Sequence, residues 1–121
     1  MQVVTTRVTG APIETPLLVI SGEIDHGNAP MLSAAVEEVL EKEVPLVLFD
    51  VTDVVYIDSG GVSVLLSTVR RLRERGWLGI INPNPNVRRL MEIVGLSLDE
   101  SFRMFKDQAD ALTAVQEFAR G

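Results

Sequence analysis

The chain has 121 residues, of which 46% are hydrophobic and 23% are charged, and its formal net charge is −6. These values are typical of one compact domain with a hydrophobic core and exclude a wholly disordered chain. The acidic balance disfavours direct binding to nucleic acid and to an anionic membrane surface. With no cysteine and a single histidine, the sequence excludes disulfides, thiolate catalysis and a polyhistidine metal site, and we expect no cofactor or metal.

The sequence contains no targeting or linker segment that can be recognised. No apolar run approaches the roughly 20 residues that a membrane-spanning helix requires, and no basic stretch followed by an apolar one opens the chain. We therefore expect a cytoplasmic protein. Because no repeat or low-complexity segment interrupts the pattern, we also expect a single domain over 1–121, with its core at about 3–118.

The first half of the chain alternates between apolar runs and an amphipathic segment. Val3–Val8 and Leu17–Ile20 are β-branched or continuous apolar runs, which predict two strands. Gly22–Asn28 is rich in turn formers and predicts a loop. Apolar residues at helical spacing then predict a helix over Asn28–Lys42, and Pro45–Asp50 predicts the next strand.

The second half continues this alternation with shorter elements. In chain order the pattern predicts a strand-like run at Val54–Ile57, a helix beginning near Ser59 and stopping by Gly76, a strand at Trp77–Ile81, a helix capped by Asn86 and closed by Gly95, a strand at Phe102–Phe105, and a last helix capped by Asp107.

Strands that alternate with helices predict an α/β fold with crossover helices. We expect a mixed, mostly parallel sheet of four to five strands, with about four helices packed mainly on one side. The first two strands should pair as a hairpin-like unit at one edge. Five apolar side chains drawn from these elements are predicted to be buried: Val19, Leu48, Leu65, Ile80 and Leu90.

The segment Asp58-Ser59-Gly60-Gly61 lies between a strand-like run and a helical run. The first N–H groups of a helix have no partner within the helix, and they lie at the positive end of its dipole. A phosphate on Ser59 would meet those donors. The position therefore suggests either a modification switch or an activated hydroxyl.

Three short motifs then resemble those of the STAS domain, in particular the single-domain anti-sigma factor antagonists. Gly22-Glu23-Ile24-Asp25 is similar to the family's G-E-[LI]-D signature after the second strand. Asp58-Ser59-Gly60-Gly61 is similar to its D-S-[ST]-G phosphorylation motif. The run from Arg88 to Gly95-Leu96 is similar to its third helix. The resemblance covers roughly 3–118, and three motifs in order are more specific than any one of them.

The resemblance implies a protein-binding switch and not an enzyme. It implies that the unphosphorylated form binds an anti-sigma factor, itself a serine kinase, and frees a sigma factor. It further implies that the kinase phosphorylates Ser59, that a phosphatase reverses this, and that Asp25 lies near the phosphoserine. One position departs from the pattern, because Gly60 stands where Ser or Thr is usual. The residues neighbouring the switch would be Asp25, His26, Asp58, Gly60 and Gly61.

Structural and enzymatic alternatives remain open at this point. Ser59 is also a favoured helix cap, and Asp25 and Asp58 are common turn residues. His26 follows Asp25 and suggests a Ser-His-Asp arrangement with Ser59. Other possible functions are a phosphorylation-independent STAS regulator of a transporter or signalling assembly, and a small anion- or nucleotide-binding protein or hydrolase that uses Ser59.

Overall fold

A computed structural model describes residues 1–121 and confirms the predicted alternation of strands and helices. The elements are β1 (Gln2–Arg7), β2 (Pro16–Ile24), α1 (Ala29–Leu40), β3 (Leu46–Ile57), α2 (Ser59–Leu72), β4 (Trp77–Ile81), α3 (Pro85–Ile93), a short 3-10 turn (Leu96–Leu98), β5 (Phe102–Phe105) and α4 (Gln108–Ala119).

The five strands form one mixed sheet in the order β1-β2-β3-β4-β5. β1 is antiparallel to β2 at one edge, and the other neighbouring strands are parallel. The mixed, mostly parallel sheet with a hairpin-like edge is therefore confirmed. Because strand order never reverses and parallel crossovers are right-handed, the helices that connect β2 to β5 lie on the same face.

The hydrophobic core is divided between the two faces of the sheet. The larger cluster has 25 buried residues, and α1, α2 and α3 contribute to it through side chains such as Leu32, Leu65 and Met91. A smaller cluster of 7 buried residues includes Ala111 and Val115 of α4. Three helices thus cover one face and one helix covers the other, which confirms the prediction that the helices lie mainly on one side.

The five side chains predicted to be buried do not all reach the same depth. Leu48, Leu65 and Ile80 are at most 1% exposed. Val19 and Leu90 are only half-buried, so the prediction of full burial was wrong for these two. Both pack at the margin of a cluster, Leu90 against the larger one and Val19 against the smaller one.

Two strands are longer than their sequence patterns predict. β2 continues through Ile24, so the loop predicted at Gly22–Asn28 begins later. β3 runs on past Asp50 to Ile57, and its distal half pairs with the extended end of β2. Gly22, where the loop was predicted to begin, lies within β2 with φ 88°, beside a register shift in the pairing of β2 with β3. A glycine in a strand often marks such a bulge.

The N-cap of α3 also differs from the prediction. Asn84, and not Asn86, caps the helix, since its Oδ1 accepts a hydrogen bond from the N–H of Val87 at 2.8 Å. Pro85 occupies the first helical position, which its fixed φ and missing N–H suit. The Asn84 side-chain amide also donates to the Val54 carbonyl at 3.0 Å, which fastens α3 to β3.

Candidate functional site

The candidate site lies where β2 and β3 end at the same edge of the sheet. Neighbouring parallel strands bring their carboxyl ends together, so the turn after β2 and the start of α2 meet there. A hydrogen bond from the N–H of Asp58 to the Ile24 carbonyl, at 3.0 Å, joins the two segments. The predicted residues of the turn and of the α2 start are therefore brought together by the fold.

Asp58 caps α2. Its Oδ1 accepts hydrogen bonds from the N–H groups of Gly60 at 2.7 Å and Gly61 at 3.3 Å. The interpretation of Ser59 as the cap was wrong, because Ser59 is the first helical residue. Asp is as favoured as Ser at an N-cap, and this preference is the signal by which the sequence could have identified it. The N–H donors expected to be free for a phosphate are therefore already bonded to a carboxylate.

Asp58 also holds the turn that follows β2. Its Oδ2 accepts a hydrogen bond from the backbone N–H of His26 at 3.2 Å and lies 3.0 Å from His26 Nδ1. His26 Nε2 in turn lies 3.4 Å from Ser59 Oγ. Ser59, His26 and Asp58 thus form a continuous hydrogen-bonded chain. The acid in this chain is Asp58, and not the Asp25 that the sequence suggested.

Ionisation of Asp58 is favoured by its surroundings. Partial desolvation raises the pKa of Asp58, but hydrogen bonds from the His26 side chain and from the backbone of Gly60, His26 and Gly61 outweigh it. The net effect is a pKa below the ordinary value for Asp. Asp58 is accordingly a carboxylate acceptor at neutral pH.

Asp25 fixes the turn that follows β2 through hydrogen bonds to Asn28. Its Oδ1 accepts a hydrogen bond from the N–H of Asn28 at 3.0 Å, and Asn28 Oδ1 accepts one from the N–H of Asp25 at 2.9 Å. The Asn28 side-chain amide also donates to the Glu23 carbonyl at 2.9 Å. The turn interpretation of Asp25 therefore agrees with the structure, and no hydrogen bond joins its side chain to Ser59.

The two glycines after Ser59 permit different close approaches. A Cβ built at Gly60 would lie 2.9 Å from His26 Cα and 3.0 Å from the His26 nitrogen. A Cβ built at Gly61 would lie 2.5 Å from Ile57 Cγ1, inside the core. Gly60 thus lets the His26 turn pack closely against α2.

The start of α2 is open to solvent, and apolar side chains are exposed on α1 and β3. Ser59 is exposed, as are the apolar side chains of Met31 on α1 and of Val55 and Tyr56 on β3, which are 52–62% exposed. A cleft of about 740 Å³ lies elsewhere, beside Trp77, and none of the clefts includes Ser59. No group of three or more acidic or histidine side chains is arranged to hold a metal ion.

None of the four helices has the length and apolar character needed to cross a membrane. Arg71 in the last turn of α2 pairs with Glu37 at 2.6 Å, and Arg73, which follows the helix, pairs with Asp99 at 2.6 Å. Arg71 is twelve residues from Ser59, or about 18 Å along a helix that rises 1.5 Å per residue. These cations are therefore outside the candidate site.

Comparison with known proteins places the chain among STAS domains. The family model for the STAS domain matches residues 4–111. The anti-sigma-F factor antagonist RsfB of Mycobacterium tuberculosis is 31% identical over 100 residues, which cover 83% of this chain and 80% of that protein. The anti-sigma-B factor antagonist of Listeria monocytogenes is 37% identical over 79 residues, covering 64% of this chain and 69% of that protein.

The fold comparison agrees with the sequence comparison. The crystal structure of an anti-sigma factor antagonist from Mycobacterium paratuberculosis superposes with a TM-score of 0.81 at 29% identity. The superposition covers 95% of this chain and 93% of that one. The similarity therefore extends over nearly the whole fold, including both strands that lead into the site.

Proposed function

The chain belongs to the STAS domain family, and we propose that it is an anti-sigma factor antagonist switched off by phosphorylation of Ser59. The unphosphorylated protein binds an anti-sigma factor and so frees a sigma factor. The anti-sigma factor is also the kinase that modifies Ser59, and a phosphatase restores the binding form. The chain acts by binding and not by catalysis. The observation that carries this proposal is the exposed Ser59 hydroxyl at the first residue of α2.

Ser59 suits a kinase better than the neighbouring serines do. Its hydroxyl lies on an exposed strand-to-helix junction, where a kinase has access to the Oγ atom. Ser63, one turn further on, donates its hydroxyl to the Ser59 carbonyl at 2.9 Å. Ser21 is half-buried within β2. We therefore assign the phosphoacceptor role to Ser59.

The charge of a phosphate is sufficient to control association. A phosphoserine carries about −1.5 to −2 charges at neutral pH, and here it adds them beside the Asp58 carboxylate. Two unit charges 4 Å apart repel by about 1 kcal/mol in water and by about 4 kcal/mol at an effective dielectric constant of 20. Each 1.4 kcal/mol is a tenfold change in affinity. A partner that places an acidic or apolar group against Ser59 would therefore be released.

The exposed apolar side chains near the switch support a protein partner. Val55 and Tyr56 lie on β3, which leads into the Ser59 junction, and Met31 lies in the first turn of α1; each exposes more than half of its surface. Aromatic residues and methionine are enriched at protein interfaces, because they bury large areas and adapt to the partner's surface. An open apolar surface around a serine suits contact with a macromolecule better than enclosure of a small substrate.

The test uses the full chain to capture its partner from a lysate of its own organism. Ser59→Ala should retain an anti-sigma factor in the presence of ATP, whereas Ser59→Asp should bind it at least tenfold more weakly than the wild type. Adding ATP to the wild-type complex should release the partner and leave one phosphate, which peptide mass spectrometry should place at Ser59. Ser63→Ala and Ser63→Asp are the matched controls, and both should behave as the wild type.

Three outcomes would contradict the proposal in whole or in part. Equal affinity of the wild type, Ser59→Ala and Ser59→Asp for the captured partner would indicate a regulator that does not depend on phosphorylation. Turnover of a small ester or nucleotide by the wild type, lost in Ser59→Ala, would indicate a hydrolase. Phosphate found at Ser63 alone would keep the switch but move its site.

A further inference from the structure

The hydrogen-bonded chain at the start of α2 has a direction that follows from the chemistry of its members. Asp58 is ionised and a carboxylate can only accept, so the proton between Asp58 Oδ2 and His26 Nδ1 lies on the histidine. A neutral imidazole with its proton on Nδ1 has a lone pair on Nε2. That lone pair faces Ser59 Oγ at 3.4 Å. The hydroxyl is therefore placed to donate its proton to His26.

The fold holds the imidazole in this orientation from two sides. The backbone N–H of His26 donates to the same carboxylate oxygen that faces Nδ1, so the His26 backbone is held beside Asp58 and the Nδ1 contact orients the ring. Gly60 allows the His26 backbone to approach α2 closely. The His26 side chain is otherwise 73% exposed, so packing alone does not account for its position. A nucleophile, a base within reach and a group that orients the base together define an activated hydroxyl.

We propose that His26 acts as the general base for Ser59, and that Asp58 is the positioning residue that orients His26. During phosphorylation, Ser59 Oγ forms a bond to the γ-phosphorus of a nucleoside triphosphate. The bond from that phosphorus to the bridging oxygen breaks, and the nucleoside diphosphate leaves. The serine proton passes to His26 Nε2, and the imidazolium keeps its hydrogen bond to Asp58. The chain thus contributes part of the chemistry of its own modification.

This relay of Ser59, His26 and Asp58 deepens the proposed function and rests on Ser59 being the phosphoacceptor. The nucleophilicity of Ser59 is nevertheless measurable without any partner. The probe is a fluorophosphonate, on which Ser59 Oγ forms an O–P bond, fluoride leaves and His26 takes the proton. Adducts are located by peptide mass spectrometry as a function of time. Ser67 and Ser97 are exposed and make no side-chain hydrogen bond, so they report ordinary serine reactivity in the same molecule.

The expected result is labelling of Ser59 at least about tenfold faster than Ser67 and Ser97, since a positioned base contributes about 10²–10⁴-fold inside enzyme sites and less in the open. His26→Ala and His26→Gln should both reduce the rate at Ser59 to that of the reference serines, and Asp58→Asn should reduce it in part. Added free imidazole should restore labelling at Ser59 in His26→Ala, because the vacated position is open to solvent. A purely structural role for His26 would not give this rescue.

The relay is overturned if Ser59 is labelled no faster than Ser67 and Ser97, or if His26→Ala and His26→Gln both label as the wild type does. Should His26→Ala alter the unfolding midpoint in urea, His26→Gln decides the matter, because it keeps a polar side chain of similar length. Partner release by Ser59→Asp is a separate measurement. Fast labelling of Ser59 without partner release by Ser59→Asp would contradict the proposed function alone. Partner release without fast labelling of Ser59 would contradict the relay alone.

Discussion

Replacement of Gly60 by alanine adds one methyl group, and we expect it to disturb the candidate site while leaving the fold intact. The added Cβ would lie 2.9 Å from His26 Cα, 3.0 Å from the His26 nitrogen and 3.0 Å from Asp58 Oδ1. Two of these three atoms belong to the backbone of the His26 turn, so the turn must move away from α2. The contacts that break first are the two from His26 to Asp58 Oδ2, at 3.2 and 3.0 Å.

The expected loss of stability is small because two effects oppose each other. A hydrogen bond contributes about 0.5–1.5 kcal/mol, so the loss of two in an exposed site costs about 1–3 kcal/mol. Alanine in place of glycine within a helix recovers about 1 kcal/mol. We therefore expect Gly60→Ala to lower the free energy of unfolding by about 0–2 kcal/mol. Gly61→Ala is the matched control, and its Cβ meets core side chains at 2.5–2.9 Å.

The assay combines urea unfolding with NMR of the imidazole ring, which is unambiguous because His26 is the only histidine. Gly60→Ala should shift the imidazole signals while changing the unfolding midpoint little. Gly61→Ala should cost about 1–3 kcal/mol through overpacking and leave the imidazole signals closer to those of the wild type. Imidazole signals unchanged in Gly60→Ala, or a loss of stability there well above about 2 kcal/mol, would refute this account of the glycine pair.

Three further predictions concern the fold. Hydrogen bonding lowers the pKa of Asp99, and the largest contribution comes from the backbone N–H of Ser101. The ionised form of Asp99 therefore stabilises the folded chain at pH values above the ordinary pKa of Asp. This contribution is lost as the pH falls through the lowered pKa. The free energy of unfolding, measured in urea from pH 7 to pH 3, should therefore fall more for the wild type than for Asp99→Asn, and parallel pH curves would contradict this. Asn84→Ala should lower the free energy of unfolding by about 1–2 kcal/mol through loss of the α3 cap, with Asn84→Asp in between; equal midpoints for all three forms would count against the cap. Leu65→Ala should cost about 2–5 kcal/mol and the same change at exposed Leu98 less than about 0.5 kcal/mol, so similar losses at the two positions would be evidence against the core assignment.

The sequence by itself determined the order of the elements and the position of the Ser59 junction between β3 and α2. Strand runs and amphipathic helices have different periods, which makes their alternation visible without knowledge of contacts. The same alternation implies a mostly parallel sheet, so it also predicts that the segments after β2 and β3 converge. The expectation that Asp25 lies near Ser59 came from the resemblance to the STAS domain, and the structure brings the two segments together at one edge of the sheet.

Only the tertiary structure decided which atoms meet at that edge. His26 and Ser59 are 33 residues apart, and their contact depends on the register shifts in β2 and on the absence of a side chain at Gly60. A shift of one residue in a strand turns every later side chain to the other face, and a sequence pattern does not fix such a shift. For this reason the carboxylate next to His26 is that of Asp58 and not that of Asp25. The N–H groups of Gly60 and Gly61 already donate to the same carboxylate.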